Sequence, residues 1–231
     1  MTIVEICVEN LDGVRAAVDA GADRVELCSR LDVGGLTPDL DDVRGALAIA
    51  PPGGVAIMIR PREGDFEVYD GQLDVMLTQI VQVREIAEAA GAEARISLVF
   101  GVLRDQEIDE ISLAALMEAA GPVPVCFHRA FDEVADRARG IEILKWHGVN
   151  RILTAGGPGN ADAQNLRETL ESAGDGIGVL ACGGLRETNV AEIIFATGVT
   201  QVHMRAPLGD TNDTDPALAR AIVERVRSIA K

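Results

Sequence analysis

Basic residues are scarce in this chain: 21 Lys and Arg stand against 37 Asp and Glu, a net charge of −16. An acidic balance of this kind keeps a protein soluble and argues against a phosphate-backbone partner, so no nucleic-acid partner is expected. Long apolar runs are also missing. No stretch could span a bilayer, and no membrane partner is expected. The first residues enter a strand pattern directly, without the leader of a secreted chain, so the expected compartment is cytoplasmic. Cysteine is limited to Cys7, Cys28, Cys126 and Cys182, spaced too widely for a zinc ribbon or a small disulfide framework. Free thiols are the expectation. Nucleotide fingerprints are absent as well. Gly156-Gly157-Pro158-Gly159 does not form GxGxxG and follows a late strand, and nothing reads as a P-loop. No nucleotide cofactor is expected.

What is present is alternation. Short apolar runs fall near 3–8, 23–28, 55–60, 95–100, 123–128, 150–154, 177–182 and 200–204. Amphipathic stretches separate them, near 10–20, 38–49, 71–90, 109–120, 132–147, 161–173, 187–196 and 215–229. Regular alternation implies a parallel sheet, and eight βα pairs suggest closure into a (β/α)8 TIM barrel of the α/β class. With 231 residues, 48% of them hydrophobic, one domain over 1–231 is expected. Gly21, Gly91, Gly121, Gly148 and Gly198 stand where helices should end. Asp109, Asp132 and Asp215 stand where helices should begin. The polar segment 209–215 reads as a surface loop.

Polar residues interrupt the apolar runs at the same end of strand after strand, and in a barrel that end carries the active site. Strand residues alternate faces, and the helices require the purely apolar face. Glu5, Cys7 and Glu9 should therefore point inward, with Glu26 and Cys28, Met58 and Arg60, Cys126 and His128, Cys182, and Gln201, His203 and Arg205. Ser97 and Thr154 are plausible inward residues on the two ambiguous strands. His147 is read as a helix C-terminal cap.

Each polar group has two readings. Glu5, Glu26 and His128 suit general acid–base catalysis, or else serve as buried partners for Arg60, Arg205 or each other. Arg60, Arg62, Arg129 and Arg205, with His203, form a basic rim in an acidic protein, suited to a small anionic metabolite. Gly156-Gly157 and Gly183-Gly184 offer backbone N–H groups to a phosphate, or are simply tight turns. Asp132 is read first as a helix cap. Cys7 and Cys28 lie on adjacent strands and could hold one soft ion such as Cu(I), with Met58 nearby, or could be ordinary core thiols.

Glu5-Ile6-Cys7-Val8-Glu9, the Glu26-Leu27-Cys28 segment, Met58-Ile59-Arg60-Pro61-Arg62 and Phe127-His128-Arg129-Ala130-Phe131-Asp132 together resemble the CutC copper homeostasis family. Leu153-Thr154-Ala155-Gly156-Gly157 and His203-Met204-Arg205 extend the match, which runs from residue 3 to about 205. The resemblance implies a cytoplasmic TIM barrel that self-associates as a dimer or tetramer and acts in copper handling. It implies Cu(I) ligation by Cys7 and Cys28. The alternative is a barrel enzyme (a lyase, isomerase or hydrolase) acting on a small anionic or phosphorylated metabolite. The sequence departs from the family at Ala181-Cys182-Gly183-Gly184, where a three-glycine run is more usual.

Overall fold

Ile3–Val8 forms β1, and every residue after Ile3 in it is buried. Such full burial suits a strand covered on both faces. The computed structural model describes residues 1–69 and 71–229. Seven further parallel strands follow: β2 Arg24–Leu27, β3 Val55–Met58, β4 Ile96–Phe100, β5 Val125–Phe127, β6 Arg151–Thr154, β7 Gly178–Ala181 and β8 Gln201–Arg205. They close into a barrel in which β1 pairs with both β2 and β8. The helices are α1 Leu11–Asp19, α2 Leu40–Ile49, α3 Gln72–Ala89, α4 Glu110–Ala120, α5 Arg137–Trp146, α6 Ala163–Ala173, α7 Val190–Thr197 and α8 Pro216–Ile229. This is the expected (β/α)8 TIM barrel. Among the described residues no helix is long and apolar enough to cross a membrane.

The apolar residues divide as parity requires. Val4, Ile6, Val8, Val25, Leu27 and Ile57 join the large layer between strands and helices. Each such side chain contributes roughly 1.5–3 kcal/mol by leaving water. Cys7, Cys28, Met58, Cys126, Leu153 and Cys182 belong to a separate cluster inside the barrel. All four cysteines are free and buried.

One local expectation needs correction, and one small element is added. Asp132 caps no helix: residues 129–133 form a 3-10 turn, and the cap of α5 is Asp136, which accepts from Arg139 N. Asp109 does cap α4, accepting from Ser112 N. A small antiparallel hairpin, Leu103–Arg104 with Glu107–Ile108, interrupts the β4–α4 connection. Its turn residues Asp105 and Gln106 carry φ of 53° and 62°, a pairing usually signalled by Asn-Gly. Finally, His147 stands at the C-cap of α5 as expected, with its Nε2 3.5 Å from Glu110 Oε2.

Candidate functional site

A cavity of about 450 Å³ opens at the C-terminal ends of the strands. Cys7, Glu26, Met58, His128 and His203 line it from the strands, and Arg60, Arg129 and Arg205 from the rim. Register explains the grouping on the first side. Cys7 lies opposite Glu26 on β2 and Arg205 on β8, while Glu5 lies opposite Arg24 and His203. One level of the interior is thus an ion-pair layer, and the next is the cavity floor.

In the lower layer Glu5 and Arg24 form a buried ion pair, and Arg24 also donates to Gln201 Oε1 at 3.2 Å. The partner of Glu5 is therefore Arg24, not Arg60 or Arg205. Burial pushes the Glu5 carboxyl up, but the Arg24 guanidinium and His203 outweigh it and hold it at about 2. Glu5 does not line the cavity. Its other oxygen sits 2.6 Å from His203 Nδ1. That contact fixes the ring and leaves Nε2 facing Glu26, with Oε2 3.7 Å away.

On the floor, a sulfur of Cys7, an oxygen of Glu26 and a nitrogen of His203 all lie within 4.8 Å of one another. Cys28 Sγ is 3.9 Å from Cys7 Sγ and 3.6 Å from Glu26 Oε2. A hydrogen bond from Cys28 pulls the Cys7 thiol down; burial opposes this, and His203 adds to it, giving about 5. The Cys28 thiol is pushed well up by the same contact with Cys7 and by burial. Burial works against charge on His203, but Glu26, Cys7 and Glu5 raise it well above the usual imidazole value. Burial and the Cys7 charge raise Glu26. These directions favour negative charge on Cys7 and positive charge on His203, and they favour the neutral form of Glu26 and Cys28. Iodoacetamide should accordingly alkylate Cys7 at a rate that is flat across neutral pH and falls with a midpoint near 5; an unfolded thiol titrates at about 8.5. A midpoint near the unfolded value would refute the assignment. Because the folded value is depressed, the stabilisation from this thiolate is lost as pH falls through about 5.

The loop after β2 closes over Cys28. Glu9, just beyond β1, accepts from the backbone N–H groups of Arg30 and Leu31 and anchors this loop. Gly35 has φ of 91°, and a Cβ there would stand 3.1 Å from Cys28 Sγ. The carbonyls of Val33 and Gly35 each accept from Arg60 Nη1 at 3.2 Å, and Gly64 O accepts from Nη2 at 2.7 Å. His128 lies beyond, buried, its Nδ1 accepting from Ala130 N at 3.2 Å. Burial and the charge of Arg60 push this imidazole down to about 3. At neutral pH it is uncharged with Nε2–H as a donor.

Three of the four arginines, Arg60, Arg129 and Arg205, line the cavity, and Arg62 does not. Arg62 turns out of the cavity after Pro61, pairs with Asp65 and lies over the Tyr69 ring at 4.6 Å. Arg129 Nε donates to Asp132 Oδ2 at 2.8 Å. Arg60 and Arg205 line the mouth with Arg129 but without such a carboxylate partner among the described residues. Asp132 is buried and collects donors from the loop after β6: Thr154 Oγ1, and the backbone N–H groups of Ala155 at 3.1 Å and Gly157 at 3.2 Å. Gly156 N donates to Thr154 Oγ1 at 2.9 Å. The glycine pair expected to offer bare N–H groups to a phosphate thus already serves an internal carboxylate and its hydroxyl partner.

The CutC family model matches residues 2–207. The chain belongs to the CutC family. It is 41% identical over 211 residues to a family protein CutC from Mesorhizobium japonicum, covering 89% of this chain and 78% of that protein. It is 37% identical over 210 residues to the human protein named copper homeostasis protein cutC homolog, covering 88% and 73%. The crystal structure of the putative copper homeostasis protein CutC from Streptococcus agalactiae superposes with a TM-score of 0.80 at 32% identity, covering 88% of this chain and 98% of that one. Phosphoribosylanthranilate isomerase from Pyrococcus furiosus, at 16% identity and a TM-score of 0.62, covers 99% of this chain and 100% of its own and shares the barrel fold. In this CutC chain the last helix, α8, lies past the matched region. Arg227 on it ties the two ends together by pairing with Asp23 at 2.7 Å and donating to Thr2 O.

Proposed function

We propose that this protein handles Cu(I) as cargo, held on Cys7 Sγ with Cys28 Sγ and His203 Nε2 within reach. The observation that carries this reading is the floor cluster: three ligand atoms within 4.8 Å of one another, with a second sulfur 3.9 Å from the first. Thiolate and imidazole are the softer donors that suit Cu(I). The hydrogen bond of His203 Nδ1 to Glu5 is the support that a ligating histidine commonly receives. Glu26 is a hard oxygen donor whose raised carboxyl makes it a poor partner for Cu(I). Four buried free thiols support residence in a reducing, cytoplasmic compartment.

The test is titration of anaerobic, reduced protein with buffered Cu(I), beside a Cys7→Ser/Cys28→Ser variant. Stoichiometric binding that the variant loses is the expected result, and Glu5→Gln should weaken binding by about 10–100-fold. Equal binding by the variant would sink the reading. So would Zn(II) that stays bound against excess Cu(I), because two sulfurs, an imidazole and a carboxylate also suit zinc.

A further inference from the structure

Two arginines at the cavity mouth form no ion pair with a carboxylate among the described residues; Glu133 and Asp65 act on Arg60 only from a distance. Arg60 is 8% exposed, and its three hydrogen bonds all go to neutral backbone carbonyls. Its Nε is buried without a partner among the described residues. Arg205 Nη2 donates to the neutral Asn212 Oδ1 at 2.7 Å. Across the same cavity Glu26, 2% exposed, has its Oε1 buried and unpartnered among the described residues. Buried polar atoms normally find partners, and in an acidic protein an unanswered buried cation is a costly arrangement.

We infer that the mouth binds a small hydroxy-carboxylate, its carboxylate between Arg60 and Arg205 and a hydroxyl on Glu26 Oε1. This site goes beyond the copper reading and does not rest on it. Glu26 can serve a hydroxyl in either protonation state, accepting when ionised and donating when neutral. The ring of Phe66, 4.9 Å from the Arg60 guanidinium carbon, and the side chains of Leu31 and Leu153 supply an apolar wall for a short carbon chain. A carboxylate suits the mouth better than a phosphate. The N–H donors of Gly156 and Gly157 are spent on Thr154 and Asp132. Arg60 Nε and the His128 Nε2–H remain as single-point donors, with Arg205 lining the same cavity.

Among the described residues Cys7 is the only cysteine lining this cavity, so it reports on the site. Iodoacetate and iodoacetamide are nearly the same shape and differ in charge, and the ratio of their rates cancels the reactivity of the thiol itself. At Cys7, read by peptide mass, that ratio should exceed the ratio in the denatured chain by about tenfold or more, the usual scale of charge focusing in a cleft. Arg60→Gln and, separately, Arg205→Gln should each lower it several-fold while leaving the iodoacetamide rate nearly unchanged. Glycerate should slow iodoacetamide at Cys7 more than propanoate does at equal concentration, and inorganic phosphate should do less than either. A ratio no higher than in the denatured chain overturns the site. Stronger protection by phosphate than by glycerate overturns the carboxylate assignment. Failure of Cu(I) binding would leave these rates untouched, so the two readings fail separately.

Discussion

Arg24→Met should destabilise the protein by about 3–5 kcal/mol, the usual cost of removing one partner of a buried ion pair. Its side chain is 7% exposed and that of Glu5 is 2% exposed, so water cannot replace the guanidinium. Glu5 would then answer to His203 alone. The sign of the pH effect follows from the depressed value of Glu5. In the native protein its contribution persists until pH falls through about 2. Without Arg24 the carboxyl drifts upward and acid unfolding should begin at higher pH. Urea denaturation across pH would show both changes. The double variant Glu5→Gln/Arg24→Met should lose less than the sum of the single losses, because each single change strands a charge. A loss under about 1 kcal/mol in Arg24→Met would mean that the pair contributes no more than an exposed one.

Asp132→Ala should cost a similar amount for a different reason. It leaves the Thr154 hydroxyl and the N–H groups of Ala155 and Gly157 buried without an acceptor, and frees Arg129. Each stranded donor costs about 1–3 kcal/mol, so roughly 3–6 kcal/mol is expected once the loop relaxes. Asp132→Asn keeps one acceptor oxygen and should lose about half as much. The distinguishing readout is amide hydrogen exchange: Ala155 and Gly157 should lose protection well before the rest of β6. If their exchange stays native-like in Asp132→Ala, the carboxylate is not what holds the loop.

Much of this was legible in the sequence because the relevant rules are periodic. Alternation with period two placed Cys7, Cys28, Cys126 and Cys182 inside the barrel, and apolar runs between helical stripes predicted eight strands. Parity says which face a residue takes but not its height along the axis. Register sets height, and register placed Glu5 opposite Arg24 rather than at the mouth. Arg24 shares parity with Glu26, so the signal existed, but a charge at the first residue of a strand reads as solvent-exposed. Arg62 shares parity with Arg60 too; the chain leaves the barrel at Pro61, and alternation ceases to apply. Asp132 was masked by Asp136, four residues on, because both satisfy the same capping pattern and only the intervening 3-10 turn decides between them.

The floor cluster straddles the line where the barrel closes, since Cys7 comes from β1, Glu26 from β2 and His203 from β8. During synthesis the two N-terminal members exist long before the third. Until residue 203 has emerged and β8 has docked, Cys7 lacks the imidazolium that adds to the pull of Cys28. The three-donor cluster is therefore made last, by the event that completes the fold.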